Sequence, residues 1–129
     1  MEVAKPLLGI VAALAIGDAT WLTLRNEYHR DLFARIQKSQ LEVRWIPAII
    51  VYLVMVVALY FGAVQNASSA ADATVRGLAI GFLLYAFYDF TNYATLTKYT
   101  LEMTIIDITW GTVLCAAAAS AGYFLKQLK

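Results

Sequence analysis

The chain has 129 residues, 61% of them hydrophobic and 15% charged, with a formal net charge of +1 and a mean hydropathy of +0.65. This is far more apolar than an ordinary soluble domain and reads as one integral membrane domain. It argues against nucleic-acid binding, because no basic stripe is present to neutralise phosphates, and the one cysteine, Cys115, rules out a disulfide framework.

The first element is MEVAKPLLGIVAALAIGDATWLTLR. Its apolar run is too long for a cleaved signal and meets Asp18 and Trp21 where a cleavage site would fall, so it reads as a retained membrane helix over about 6–24. Next comes RNEYHRDLFARIQKSQLEVRW. It mixes charges with Leu32, Phe33, Ile36 and Leu41 near helical spacing, which predicts an amphipathic interfacial segment over about 26–43. A second span follows over about 46–64, with Pro47 in an opening turn that needs no donor. QNASSAADAT is a polar turn. The third span covers about 75–97 and the fourth about 103–125, joined so tightly that they form a hairpin.

No strand-like alternation competes, and lipid cannot satisfy open backbone groups, so the expected fold is all-α: a four-transmembrane-helix antiparallel bundle. Four spans place both termini on one side. Lys and Arg are more numerous in the first and third connections, which puts those connections at the cytoplasmic face and the termini on the non-cytoplasmic side.

The polar residues inside the spans carry the functional reading. At ~1.5 Å rise per residue, counting from Arg25, Lys98 and Glu102 puts Asp18, Asp89 and Asp107 roughly 10, 13 and 8 Å from one membrane face. Gly81, Tyr85, Tyr88, Asp89, Asn92 and Thr95 share one face of the third span, Thr104, Asp107, Gly111 and Cys115 one face of the fourth, and Asp18 lies beside Trp21 in the first. Gly77 and Gly81 form a G-x-x-x-G that permits close helix approach.

Ionised carboxylates in hydrocarbon cost about 2.5–3.5 kcal/mol each even on the lenient insertion scale. Three at one depth therefore call for a proton, a bound cation, or a basic partner such as Arg44 or Lys98. The expected binding residues are Asp89 and Asp107, with Asn92 and Thr95 as neutral ligands. Asp18 completes the site, Trp110 walls it, Tyr88 and Trp21 are further binding positions, and Arg44 is either a carboxylate partner or a lipid-headgroup contact. The alternative is a network that only fixes helix packing. No catalytic residue, metal or cofactor is assigned: His29 is the one histidine, and no Walker loop, dinucleotide fingerprint or nucleophile elbow is present.

The stretch YDFTNYATLTKYTLEMTIIDITWGT resembles the signature of a family of small membrane proteins known as domain of unknown function 2177. In that family a Y-D-[LF]-T-N-x-A-T-L run precedes a D-x-x-W-G-T run. The matching positions here are Tyr88, Asp89, Thr91, Asn92, Ala94, Thr95 and Leu96, then Asp107, Trp110, Gly111 and Thr112. Asp18, Trp21 and Tyr28 also look like family positions. The resemblance implies a four-helix integral membrane protein and brings no activity with it.

Three functions remain open from the sequence. The leading one is a small transporter or channel-like unit with a carboxylate site for a proton, metal cation or cationic solute, in the lipid bilayer as a homodimer or within a larger membrane complex. The others are an accessory structural subunit and an intramembrane enzyme acting on a lipid or isoprenoid. The last predicts an apolar groove opening beside Asp89.

Overall fold

The computed structural model describes residues 3–129, and its regular elements are all helical. The helices are α1 (Ala4–Leu24), α2 (Asn26–Gln37), α3 (Trp45–Leu59), α4 (Ala70–Thr95) and α5 (Leu101–Gln127), and α3 runs on into a π-turn over Tyr60–Val64. Four segments are long and apolar enough to cross a membrane: α1, α3 with its π-turn, α4 and α5.

Local chemistry sets the helix ends. The Ser69 side chain accepts the Asp72 N–H at 3.0 Å, so α4 starts at Ala70 rather than near Val75. It stops at Thr95, because Leu96 is extended at φ −111° and ψ 103°. Thr100 caps α5 the same way, its Oγ1 accepting the Met103 N–H at 3.0 Å. The turn between α4 and α5 therefore lies two residues earlier than the apolar pattern suggests. Lys38 ends α2 in the left-handed region at φ 60°.

The helix α5 is the centre of the fold. Its face of Gly111, Cys115, Ala118, Ala119 and Gly122 is buried, and small residues there let two neighbours approach at backbone distance. On one side lies α1, where a Cβ on Gly9 would stand 2.7 Å from the Ala121 carbonyl oxygen. On the other lies α4, where a Cβ on Gly77 or Gly81 would stand 2.6 Å from the carbonyl oxygens of Cys115 and Gly111 respectively. Ile10, Leu14, Leu59, Val64 and Leu114 fill the core between them.

Packing of α2 follows its amphipathic pattern. Leu32 is buried against Tyr99 and Met103, with Tyr28, Phe33, Ile36 and Leu96 around them. The helix thus closes the end of the bundle at which the α4–α5 turn lies.

By contrast, α3 is packed over only part of its length. Met55 and Leu59 are buried, while Trp45, Ile46, Ile49, Ile50 and Leu53 near its start are exposed. Apolar crevices run along both of its flanks, one against α1 and one against α4. Its base is firm. Gln65 N–H reaches the Tyr60 carbonyl at 2.8 Å, the i to i−5 pattern of a π-turn, and Lys126 Nζ donates to the Gln65 carbonyl at 2.6 Å.

Towards its start α3 is held by Tyr52, whose hydroxyl donates to Asp18 Oδ2 at 2.5 Å. Interhelical hydrogen bonds in membrane proteins average about 0.6 kcal/mol and reach about 1.7. Tyr52→Phe is expected to cost an amount in that range and to broaden a spin-label distance distribution between α1 and the start of α3. An unchanged distribution would show that packing alone positions this helix.

Candidate functional site

The α4–α5 hairpin brings its two acids together. Asp89 is fully buried and Asp107 is 7% exposed. Their carboxyl groups face each other within hydrogen-bonding range. The Tyr99 hydroxyl, from the turn, donates to Asp89 Oδ1. Asp89 Oδ2 is buried and has no donor among the described residues.

Two carboxylates cannot both stay ionised at this separation in a low-dielectric interior without a positive charge between them. One proton held between the two acids removes the repulsion and gives the orphaned oxygen a donor. Among the described residues no group of three or more His, Cys, Asp and Glu side chains gathers to hold a metal ion.

Tyr99 seals the site from the membrane face. It is 3% exposed, and its ring meets Phe33 of α2 edge-on at 6.1 Å. Burial, and then the hydrogen bond to Asp89, pushes its phenol well above the usual tyrosine range, so it stays a donor. Beside it Tyr28 Oη and Thr100 Oγ1 are 2.7 Å apart, joining α2 to the cap of α5. Asn92 lies within reach of the Tyr88 and Tyr99 hydroxyls. Tyr99→Phe strips Asp89 of a donor and is expected to cost about 1–3 kcal/mol, read by reversible unfolding in detergent. A loss under about 0.3 kcal/mol would mean that the bond is not formed in the folded protein.

Asp18 belongs to a neighbouring cluster. Its Oδ1 accepts from Trp110 Nε1 at 3.1 Å and its Oδ2 from Tyr52. The Trp110 ring stacks on Trp21 with centroids 4.7 Å apart and planes 4° from parallel, a geometry worth about 0.5–1.5 kcal/mol beyond area burial. The depth count groups the three aspartates, and the structure divides them into two neighbouring clusters.

Other expected positions stand apart. The Thr95 hydroxyl is exposed and donates to the Thr91 carbonyl at 2.8 Å. Thr104, Thr109 and Thr112 likewise donate to carbonyls one turn earlier on their own helix. The threonine-rich character of the hairpin therefore belongs to its helices' own backbone. Arg44 is exposed at the start of α3, and Lys98 is also exposed.

Arg25 stands at the end of α1, with Nε and one terminal guanidinium nitrogen buried and without a hydrogen-bond partner among the described residues. Its guanidinium carbon lies 4.4 Å from the Tyr28 ring centroid and 5.8 Å from that of Trp21. From the sequence, Arg25 serves as a depth marker, and Tyr52 and Tyr99 carry no assigned role. The signal that was available for Tyr99 is its place in a short turn beside two acid-bearing helices.

The family profile described as "Predicted membrane protein (DUF2177)" matches residues 3–124. The chain belongs to this family. The matched range holds both carboxyl clusters, Tyr99 and Arg25. No curated protein and no solved structure matches the chain. The family establishes a membrane protein with several spanning helices and leaves its activity open.

Proposed function

We propose that this chain is a small proton-translocating transporter or channel-like unit in which Asp89 and Asp107 bind the proton, assembled as a homodimer or within a larger membrane complex. The observation that carries this reading is the carboxyl pair itself: two buried acids face each other, and one oxygen lacks a donor among the described residues. Intramembrane acids in such pairs are the usual carriers in proton relays. Tyr99, Asn92 and Tyr88 line the turn side, and Asp18 extends the polar stripe towards α1 and α3. Four short helices enclose no pathway by themselves, so a second copy or another subunit would supply its other wall.

The test is proton uptake into liposomes holding the protein, driven by an imposed membrane potential and followed with an internal pH dye. Native protein is expected to take up protons, and Asp89→Asn and Asp107→Asn are each expected to fall to the rate of empty liposomes. Equal rates in all three proteins would overturn the reading.

A structural subunit is the second reading. It is favoured by the way Asp18, Tyr52, Trp110, Tyr99 and Asp89 tie helices and turn together. It predicts that Asp89→Asn and Asp107→Asn each lose stability strongly, with no flux in any of the proteins, native included.

A further inference from the structure

The crevice between α3 and α4 ends on an unusual group. It has a volume of about 440 Å³ and is lined by Ile50, Val54 and Met55 from α3 and Leu84, Tyr85 and Tyr88 from α4. Every one of these side chains is apolar except the two phenols. The Tyr85 ring lies flat against Gly111, where an added Cβ would meet its ring carbons at 2.1 Å. This places Tyr85 among four groups from the other spanning helices: Asp18, Tyr52, Asp107 and Cys115. The Tyr85 side chain is partly buried along the crevice wall, and its hydroxyl makes no hydrogen bond among the described residues. A phenol without a partner in an apolar, lipid-facing crevice is costly, and such groups normally find one.

From this geometry we infer that the α3–α4 crevice is a binding site for a neutral long-chain lipid carrying a hydrogen-bonding oxygen, such as an alcohol or a carbonyl, which pairs with the Tyr85 hydroxyl. The chain lies between α3 and α4, where the walls match hydrocarbon. The oxygen is neutral for electrostatic reasons. An anion finds no cation to pair with, because no Lys, Arg or His lines the crevice. An ammonium finds no carboxylate to pair with, because none lines the crevice. The exposed first part of α3, where Ile50, Val51 and Val54 are all more than half exposed, gives the lipid lateral entry from the bilayer. This site is independent of proton binding at the carboxyl pair.

The test uses protein in lipid nanodiscs and two photoreactive probes, a long-chain alcohol with a diazirine on its chain and the matching hydrocarbon without the hydroxyl. Labelling is mapped to single residues by mass spectrometry. The alcohol is expected to label Met55, Leu84 and Tyr88 in preference to Leu83 and Phe87, which are 66% and 78% exposed on other parts of the surface. Tyr85→Phe is expected to lower alcohol labelling about fivefold, the effect of one net hydrogen bond, and to leave hydrocarbon labelling unchanged. Val54→Trp, which fills the crevice from a half-exposed position, is expected to remove both signals there, while Phe87→Trp changes neither.

Three outcomes would overturn the inference. One is equal labelling of crevice and outer residues. Another is equal behaviour of the two probes in native protein and Tyr85→Phe. The third is chain-to-chain cross-linking at the crevice in place of lipid label, which would assign it to a second copy.

Discussion

Alanine at both Gly77 and Gly81 is expected to push α4 away from α5 and to lower the thermal stability of the native fold in mild detergent strongly. Each added Cβ would stand 2.6 Å from a carbonyl oxygen of α5, and at Gly81 it would also meet Cys115 Cβ at 2.6 Å. The obstacle is backbone, which a side-chain rotation cannot move aside. Overpacking of this kind costs about 1–3 kcal/mol per site, and sites sharing one interface couple. Alanine raises helix propensity over glycine by about 1 kcal/mol, so any net loss reports lost helix contact and not weaker helices. Gly62→Ala is the control, because there the added Cβ meets only the Ile80 side chain, at 2.6 Å from its flexible end. Thermal unfolding should separate the double variant from native protein by several times the Gly62→Ala shift. Comparable shifts would show that α4 and α5 do not pack through these glycines.

The second large effect falls on Asp89. Asp89→Leu removes the acceptor of the Tyr99 hydroxyl and the partner of Asp107 together, leaving two buried polar groups unpaired. At about 1–3 kcal/mol for each orphaned group, the loss should be about 2–6 kcal/mol. Asp89→Asn keeps an acceptor for Tyr99 and offers Asp107 an amide donor, so it should stay within about 1 kcal/mol of native. The contrast separates the shape of the site from its chemistry. A leucine variant as stable as the asparagine variant would mean that the carboxyl at this position is not engaged with its neighbours.

The fold was largely legible because bilayer chemistry leaves few choices. Four apolar runs of sufficient length become four helices, and the Gly77, Gly81 and Gly111 spacing already marks the face on which α4 meets α5. The depth count also brought Asp89 and Asp107 to one level. What it could not give is which acids touch, because that depends on the rotation of α1 about its own axis. Asp18 turned out to face Tyr52 and Trp110.

Threonines were misleading for a physical reason. A hydroxyl inside a helix can satisfy itself on the preceding turn, so Thr95 needs no site to explain it. The exposure of α3 near its start was also invisible. Its sequence is apolar all round, which fits a lipid-facing helix and a core helix equally well.

The shared proton is the central claim, and infrared spectroscopy of the protein in bilayers reads it directly. At neutral pH the native protein should show the carbonyl stretch of a protonated, hydrogen-bonded carboxyl group, and that band should vanish in both Asp89→Asn and Asp107→Asn while persisting in Asp18→Asn. A native spectrum with only ionised carboxylates, or a band lost in Asp18→Asn alone, would contradict the assignment of the proton to Asp89 and Asp107.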